Sequence, residues 1–463
     1  MASPEWSAPV GGEFRSCGYI EGNIMFNTGE LNVCCIPLPE GRGNVKMCDY
    51  TGGELPMEQI AERRNELRRL NNTPGADSPC LGCGYLKKQQ WTSDYPFNML
   101  TVSHYTRCNL RCNYCYISDY THEQHRTNSI QPYNIQPIIE GLLEARLLDP
   151  NASTCWGGGE PAMFEEFGDV LATYARHGVR LILLSNCTIR SEAVLPGIAA
   201  GTISVVCSVD AGTRATYKIV KGKDQFEKVW QLLAEYVRAS CSPHQIAAKY
   251  IFQNDNYDDA NVRGFIDNAE IAGIKAISIA QNMNLYNGSS STARAPLPSH
   301  IVDAMANMVV LARQRGMQAV FTYAVFSDLD KARIRLRIME AVLRAGLDLD
   351  VDLQEDSFVI TDSKADQYAR ILRDADQQMI HGLEADIELA KAAGQVTELA
   401  GQVTELRARL HEAESIVVQV PALRTRLQTA ESPGGRAFIS LTLGFLRRQL
   451  SLRIWAYRIF PNR

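Results

Sequence analysis

The chain has 463 residues, a length that suits about three domains or one large catalytic domain with appendages. Hydrophobic residues make up 45% of the sequence and charged residues 21%, which excludes a disordered, collagen-like or disulfide-dominated miniature chain. The net charge of -5 supplies no overall basic surface, so we expect no nucleic-acid partner.

The N-terminal sequence lacks the basic and apolar regions of a secretory signal, and no run of 18 apolar residues occurs in the chain. We therefore expect a cytoplasmic protein that does not span a membrane. Of the 13 cysteines, most lie in the first 115 residues, and none follows Cys241. In a reducing cytoplasm cysteines serve as metal ligands, reactive groups or small apolar side chains, and core filling would not concentrate them in this way. The front of the chain is therefore predicted to bind metal.

Residues 1–95 read as a loop-rich, Cys-rich module. A β-hairpin is expected over residues 19–34, with its turn at Asn27–Gly29, where positive φ is tolerated. A helix should follow from about Pro56 to Leu70, because Met57, Ile60 and Leu67 recur among many charges.

Residues 96–327 alternate between apolar strand-like runs and helical segments, which predicts βα repeats and a parallel sheet. The expected strands are Met99–Ser103, Ser153–Trp156, Leu181–Leu184, Ile203–Val209, Ile246–Phe252 and Ala276–Ile279. The expected helices are Ile135–Leu148, Met163–His177, Phe226–Val237, Asp258–Ala272 and Ile301–Arg315.

Three further segments follow the βα region. Residues 328–393 read as helical and polar, and residues 394–432 carry a repeated heptad seam, typical of a coiled coil that forms a homo-oligomer; helix packing within one chain is the alternative. Residues 433–463 form a tail with six arginines and no acid among apolar and aromatic residues. Such a tail suits a membrane surface, with a helix packed on the body of the protein as the alternative.

Cys108, Cys112 and Cys115 lie within eight residues, directly after a predicted strand. This tight spacing suits a cubane iron–sulfur cluster better than a tetrahedral zinc ion, which would need a fourth close ligand. Three thiolates on four irons leave one iron open to a substrate or cofactor. The alternatives are a zinc knuckle and incidental loop cysteines.

The C-x3-C-x2-C run, with Tyr114 before its last cysteine, resembles the cluster motif of radical S-adenosylmethionine (SAM) enzymes. The resemblance covers residues 98–279 and implies a partial (β/α)6 barrel with its cluster and SAM at the carboxyl ends of the strands. It also implies reductive cleavage of SAM to methionine and a 5′-deoxyadenosyl radical, which removes hydrogen from the substrate. An external reductant such as flavodoxin or ferredoxin is implied as a partner.

The resemblance extends to the predicted SAM site. Gly157, Gly158, Gly159 and Glu160 resemble the family's GGEP segment, and glycines let the backbone approach a ligand closely. Ser185 and Asn186 resemble its SNGT segment, in which Cys187 stands where glycine is commoner. Ser208 and Asp210 resemble the start of its SLDG stretch, and Lys221 replaces a more usual arginine downstream.

The front module resembles the auxiliary-cluster domains called twitch and SPASM, which implies that Cys17, Cys34, Cys80 and Cys83 ligate a second [4Fe–4S] cluster. Here the module precedes the barrel, whereas in the family it usually follows. Cys35 and Cys48 compete with Cys34 as ligand. A structural zinc ribbon on the same four cysteines is the alternative.

Two weaker signals remain. Cys187 at a strand end is the best-placed cysteine to return a hydrogen atom to a substrate radical, although buried packing is the ordinary role of such a residue. His104 and His122 flank the triplet without partners at metal-ligand spacing and are expected to be ordinary residues.

Relatives of this type oxidise, epimerise or crosslink, and no separate peptide-recognition domain is evident in the front 90 residues. We expect a carbohydrate-like small molecule that is oxidised or epimerised, with a peptide-modifying maturase as the alternative. If the substrate is assembled at a membrane, the tail would hold this cytoplasmic enzyme at the inner membrane surface. A non-catalytic zinc-binding coiled-coil scaffold is the alternative from a different class.

Overall fold

The computed structural model describes residues 12–34, 45–81, 83, 85–91, 94–115, 133–282, 297–321 and 328–347. All of them belong to the unit Met1–Phe358, and a second unit comprises Val359–Arg463. The predicted coiled coil (394–432), the basic tail (433–463) and most of the helical region 328–393 lie outside the described residues. No helix in the described part of the chain is long and apolar enough to cross a membrane.

The front of the chain has short strands around one long helix. Its elements are β1 (Phe14–Ser16), α1 (Gly18–Gly22), β2 (Asn23–Asn27), β3 (Glu30–Asn32), β4 (Lys46–Asp49), α2 (Met57–Asn72) and β5 (Lys87–Gln89). The predicted hairpin is confirmed as the antiparallel pair β2–β3, which turns at Gly29 with a φ of 78°. Its predicted start is wrong, because residues 18–22 are helical. Cys17 caps that helix by accepting a hydrogen bond from the Ile20 amide at 3.5 Å.

Strands and helices then alternate. The elements are β6 (Phe97–Val102), α3 (Gln136–Glu144), β7 (Leu148–Trp156), α4 (Phe167–His177), β8 (Leu181–Ser185), α5 (Leu195–Ala199), β9 (Ile203–Ser208), α6 (Arg214–Lys221), α7 (Phe226–Ala239), β10 (Ile246–Phe252), α8 (Asp259–Ile271), β11 (Ala276–Gln281), α9 (Ser299–Gln314), β12 (Gln318–Phe321) and α10 (Asp328–Arg344). Each strand and helix predicted for this region is present: the strand Ile246–Phe252 has the predicted bounds, and the other elements have shifted ends. The sequence did not predict β12, α5 or α6, because all three are too short for a clear periodicity.

The main sheet has ten strands in the order β12-β11-β10-β9-β8-β7-β6-β2-β3-β4. Strands β6 to β12 pair in parallel with successive neighbours, as expected. Strand β2 pairs in parallel with β6, so the front hairpin continues the same sheet. This α/β architecture with a parallel sheet is consistent with a partial barrel of the expected kind.

The two faces of the sheet have different surroundings. On one face, Trp156 packs on Phe167 of α4, with ring centroids 5.3 Å apart, and Tyr250 packs on Phe265 of α8 at 4.9 Å. Residues that alternate with these buried side chains point to the other face, which we call the inner face. Its members pair in register across the strands and are less buried: Cys155, Ile182, Leu184, Val206, Ser208 and Lys249.

Candidate functional site

The three clustered cysteines lie on the loop after β6, at the carboxyl ends of the parallel strands. Backbone hydrogen bonds hold this loop against the end of α6: the Arg111 amide donates to the Lys221 carbonyl at 3.1 Å, and the Asn113 amide donates to the Val220 carbonyl at 3.0 Å. Gly222, with a φ of 70°, allows the close approach, because a Cβ there would lie 2.7 Å from the Arg111 carbonyl oxygen.

The thiols of Cys108, Cys112 and Cys115 are half-buried and close enough to influence one another electrostatically. Burial raises the pKa of Cys108, and it raises the pKa of Cys112 to about 11. Without a metal these two groups are therefore thiols at neutral pH, and a bound metal would deprotonate them. In the described residues no three Cys, His, Asp or Glu side chains converge on a point suited to one metal ion. Three thiols on one loop fit an iron–sulfur cluster by the chemistry of the donor set.

The predicted SAM-binding glycines pack against the loop that carries the cysteines. The Gly159 amide donates to the Tyr105 carbonyl at 2.6 Å, and the Glu160 amide donates to the Arg107 carbonyl at 2.8 Å. A Cβ at Gly159 would lie 2.8 Å from the Arg107 carbonyl carbon, and Gly158 has a φ of 94°. These glycines are needed for the close approach of two protein segments, whereas the sequence argument invoked the approach of a ligand.

Glu160 joins the ends of β7 and β8. Its carboxylate is 1% exposed and accepts hydrogen bonds from the Asn186 amide at 2.7 Å and the Ser185 hydroxyl at 2.8 Å. The Asn186 side chain in turn donates to Asn109 at 2.9 Å and lies 3.6 Å from the Cys108 sulfur. Burial raises the pKa of Glu160. The sequence predicted that Glu160, Ser185 and Asn186 share one site. The structure connects them in one hydrogen-bond network that reaches the loop of the cysteine triplet.

A second polar network lies beyond the end of β9. Asp210 is fully buried, with a φ of 60°, and its carboxylate pairs with the Lys221 ammonium and accepts a hydrogen bond from the Tyr114 hydroxyl. Lys221 also donates to Tyr114 at 2.8 Å. Burial lowers the pKa of Lys221, but Asp210 and Cys112 outweigh that effect, and the result is a raised pKa. Asp210 and Tyr114 thus hold the loop of the cysteine triplet to the sheet. Of the predicted SAM contacts Tyr114, Ser208 and Asp210, Ser208 is the one that lies on the inner face of the sheet.

Cys187 does not present its thiol to the mouth of the sheet. The residue is 1% exposed, and its side chain hydrogen-bonds to Cys207, which is also buried. Its φ of 51° lies in the left-handed region, which explains why glycine is commoner in the motif. This buried position agrees with a packing role for Cys187. It does not agree with a role in returning a hydrogen atom to a substrate radical.

The four predicted auxiliary cysteines line one cavity of about 370 Å³, a volume that includes space open to solvent. Cys17 comes from the start of α1, Cys34 follows β3, and Cys80 and Cys83 lie in the turn after α2. Apolar side chains complete the wall: Ile20, Val33, Val45, Leu86 and their neighbours. Burial raises the pKa of Cys17 to about 12 and also raises the pKa of Cys80 and Cys83. Four thiols from separate segments are a donor set for an iron–sulfur cluster, although among the described residues they do not converge on a point suited to one metal ion.

The competing ligands are placed differently. Cys48 is buried on β4 and does not line the cavity, and Cys35 lies outside the described residues. His104 is buried between Tyr133 and Phe164, and its Nε2 atom lies 3.1 Å from the Tyr133 carbonyl oxygen, so it serves packing. His122 lies outside the described residues.

The cavity lies at the opposite end of the sheet from the cysteine triplet. Strand β3 runs back toward the start of β2, where the Asn23 side chain donates to the Val33 carbonyl at 2.6 Å. The triplet follows the other end of the neighbouring strand β6. At roughly 3.3 Å per residue, the six residues of β6 place the two sets of cysteines about 20 Å apart along the strands. No pattern in the sequence predicts this separation.

Sequence reasoning also missed Lys249. Its strand was predicted, but a single lysine in an apolar strand carries no motif. The register places it on the inner face, opposite Ser208 of β9.

Residues 102–259 match the model of the Radical SAM superfamily. A GTP 3′,8-cyclase of Psychromonas ingrahamii is 26% identical over 148 residues, covering 32% of this chain and 42% of that protein. The uncharacterized protein sll1766 of Synechocystis sp. is 32% identical over 66 residues, covering 14% of this chain and 16% of that protein. The chain thus spans less than half the length of these two curated relatives.

Two solved structures overlap with part of the fold. SuiB of Streptococcus suis has a TM-score of 0.38 and 13% identity, covering 59% of this chain and 56% of SuiB. The structure of anSMEcpe with bound AdoMet has a TM-score of 0.37 and 15% identity, covering 54% of this chain and 67% of that one. Overlaps of this size transfer neither substrate nor reaction.

The match over residues 102–259 spans the cysteine triplet, the glycine segment and both polar networks, so the similarity to the radical SAM superfamily covers this candidate site. Proteins of this superfamily use a [4Fe–4S] cluster and SAM. These are the cofactors of the region, and the three thiols after β6 are a donor set that fits the cluster.

Proposed function

We propose that this protein is a radical SAM enzyme that removes a hydrogen atom from a carbohydrate-like small molecule, in an oxidation or an epimerisation. One observation carries the radical SAM part of the proposal: three half-buried thiols on a single loop lie at the carboxyl ends of a parallel sheet, within a segment that matches the superfamily. The substrate class and the type of reaction are proposed from the resemblance of the front module. When bound, the cluster and SAM supply reductive cleavage of the sulfonium to methionine and a 5′-deoxyadenosyl radical.

The chain's own residues hold and orient these groups. Cys108, Cys112 and Cys115 are the cluster ligands, and the Lys221–Asp210 pair fixes the loop that carries them. Asn186, held by Glu160, donates toward the Cys108 sulfur. Hydrogen bonds to cluster sulfurs adjust the reduction potential, which is a property the protein controls.

The SAM contacts proposed from the resemblance line the same edge of the sheet. They are Tyr114, Gly157, Gly158, Gly159, Glu160, Ser185, Asn186, Ser208 and Asp210. Glu160, Tyr114, Asp210 and Asn186 bond to other protein groups, so we assign them the positioning of neighbours. The Gly157 and Gly159 amides are also bonded within the protein, so we assign direct contact to the Gly158 backbone and Ser208.

The front cavity is proposed to hold a second [4Fe–4S] cluster on Cys17, Cys34, Cys80 and Cys83, in a twitch- or SPASM-like module. Four cysteines leave no open iron, so this centre would pass electrons or stabilise the fold. Its position at the far end of β2 and β6 argues against contact with substrate at the mouth. A zinc ion on the same cysteines is the alternative.

A ribosomally made peptide is the second substrate class. A solved structure of SuiB holds the precursor peptide SuiA, but that overlap, with a TM-score of 0.38, is too partial to transfer a substrate. An external reductant such as flavodoxin or ferredoxin is proposed as electron donor. The segment 394–432 is proposed to form a coiled-coil homo-oligomer, and the tail 433–463 to hold a cytoplasmic enzyme at the inner membrane surface.

The formation of 5′-deoxyadenosine tests the activity. Protein reconstituted anaerobically with iron and sulfide is given SAM and dithionite, and the product is measured by chromatography. Wild type and the control Cys241→Ala, at an exposed cysteine outside the site, should form it, and Cys112→Ala should not. Equal product from Cys112→Ala, or none from wild type with a complete cluster, would contradict the proposal.

Metal content tests the second centre and the scaffold alternative. Two [4Fe–4S] clusters require about eight irons per chain, and Cys83→Ala should bring this to about four. Zinc in place of iron at the front cysteines would favour the zinc ribbon. Zinc throughout with no inorganic sulfide would favour the scaffold.

Co-sedimentation with anionic liposomes tests the tail. Full-length protein should bind, and protein truncated before Arg436 should bind much less. Equal and negligible binding of both would end the membrane proposal.

A further inference from the structure

Asn71 is a buried side chain with an unsatisfied hydrogen-bond donor. It lies in the last turn of α2 and is 8% exposed, and its Nδ2 group has no hydrogen-bond partner among the described residues. A buried amide group without a partner costs free energy, and native proteins rarely leave one in place. An acceptor beside Nδ2 would remove this cost.

The surroundings of Asn71 turn its amide toward Cys80. The Ser78 hydroxyl donates to the Asn71 Oδ1 atom at 2.5 Å and accepts a hydrogen bond from the Cys80 amide at 3.1 Å. Because Oδ1 faces Ser78, Nδ2 is the amide atom left for the Cys80 sulfur. Burial raises the pKa of the Cys80 thiol, and the Asn71 side chain is the largest effect that lowers it. The geometry between Nδ2 and the thiol still falls short of a hydrogen bond.

Metal binding would make Cys80 a stronger acceptor. A thiol sulfur accepts hydrogen bonds weakly, whereas a metal-bound cysteine is deprotonated and carries negative charge. Hydrogen bonds to a charged acceptor are about twice as strong as those between neutral groups. Asn71 does not line the front cavity, whereas Cys80 does, so Asn71 can reach a bound centre only through the Cys80 sulfur.

Backbone amides serve other sulfurs of the cavity. The Ile20 amide donates to Cys17 at 3.5 Å. Burial raises the pKa of Cys83, and the Tyr85 amide is the largest effect that lowers it. Hydrogen bonds to the sulfurs are one of the means by which a protein sets the reduction potential of an iron–sulfur centre. Asn71 differs from these amides because a substitution can remove its donor without changing the backbone.

We propose that Asn71 donates a hydrogen bond from Nδ2 to the Cys80 thiolate of the second iron–sulfur centre and so stabilises the reduced form of that centre. This inference rests on the proposed [4Fe–4S] cluster at the front cysteines and assigns to it a positioning residue that is not a ligand. An added electron increases the negative charge on the sulfurs, and the hydrogen bond strengthens with that charge. Removal of the donor should therefore lower the reduction potential.

The reduction potential of the front centre tests this role. The parent protein is the reconstituted full-length chain with Cys108→Ala, Cys112→Ala and Cys115→Ala, which lacks the ligands of the other cluster. It is reduced stepwise with dithionite and mediator dyes, and the reduced centre is measured by electron paramagnetic resonance. Asn71→Leu should bind the electron about tenfold less tightly, which is a midpoint about 59 mV lower for a one-electron couple.

Asn72→Leu is the matched control. It makes the same substitution at the next residue of α2, whose exposed side chain bonds to the backbone of Arg15 on β1. Asn72→Leu should leave the midpoint unchanged. A midpoint in Asn71→Leu equal to that of the parent, or an equal shift in Asn72→Leu, overturns the proposal.

A measurement without a substitution at Asn71 guards against a variant that does not assemble the centre. In parent protein that carries nitrogen-15 in its asparagine side chains, the reduced centre should show a nitrogen-15 hyperfine coupling by pulsed electron paramagnetic resonance. Asn72→Leu should retain this coupling. Absence of the coupling in the parent overturns the proposal.

Failure of the second cluster is recognised separately. Zinc or no metal at the front cysteines of the wild type rejects the cluster and, with it, the role of Asn71. A complete cluster whose midpoint and hyperfine coupling do not depend on Asn71 rejects the role of Asn71 alone.

Discussion

Replacing Lys221 with methionine should destabilise the radical SAM region by about 3–5 kcal/mol, the usual cost of removing one partner from a buried ion pair. Lys221 is 1% exposed and Asp210 is fully buried, so neither charge can be solvated by water. Methionine keeps the length and the apolar stem of the side chain. The loss therefore reports the charge on Lys221 rather than a cavity.

The size of the effect follows from what remains around Asp210. Its carboxylate keeps hydrogen bonds from Tyr114 and from the Ile251 amide, the latter at 2.7 Å, but it loses its only described cationic partner. The exposed pair Arg263–Asp259 on α8 should contribute almost nothing by comparison.

The assay is urea denaturation followed by tryptophan fluorescence, with Lys221→Met, Asp210→Asn and the double variant compared in a thermodynamic cycle. The double variant should be more stable than the sum of the two single losses predicts, because it leaves no unpaired buried charge. Arg263→Met serves as the surface control. A loss below about 1 kcal/mol, or strict additivity of the two substitutions, would refute this reasoning.

Two further predictions concern the support of the cluster loop. Gly159→Ala should lower cluster content, since its Cβ would lie 2.8 Å from the Arg107 carbonyl carbon; iron and sulfide analysis checks this. Gly141→Ala, where the added Cβ meets nothing within 4 Å, should retain full content and gain roughly 0.5–1 kcal/mol in helix α3. Equal cluster content in both variants would count against the packing role of Gly159. Burial lowers the pKa of His104 from 6.5 to about 4. Between these two pH values the unfolded chain therefore binds more protons than the folded chain does. The free energy of unfolding should then fall by about 3 kcal/mol as the pH drops through that range. Denaturation of His104→Asn over the same range should lack this fall, and an identical pH dependence would show that another group causes it.

Both ends of the sheet bear on how the protein works. The triplet lies where parallel strands finish, the end at which sheets of this type place their chemistry. The front cavity lies where β2 and β6 begin, and Arg64 of α2 stabilises that end by donating to the Asn23 carbonyl at 3.0 Å and to the Pro96 carbonyl at 3.0 Å. A metal in the cavity would therefore stabilise the base of the sheet, whatever its part in electron transfer.

The sequence by itself determined the features that depend on local pattern. Alternating apolar runs predicted the βα order, because strand and helix periodicities are properties of neighbouring residues. The spacing of Cys108, Cys112 and Cys115 predicted a cluster loop, because three cysteines so close in sequence must also lie close in space. The same holds for Cys80 and Cys83.

Tertiary structure decided what depends on the partners of each residue. It paired Asp210 with Lys221 and buried the Cys187 side chain in the core. It also showed that the glycines before Glu160 allow the loop of the cysteine triplet to pack closely against them. It also brought Cys17 and Cys34 into one cavity with the Cys80–Cys83 turn at the end of the sheet opposite the triplet. Strand register places these groups, and register is set by pairing between segments distant in sequence, so no local pattern could have revealed it.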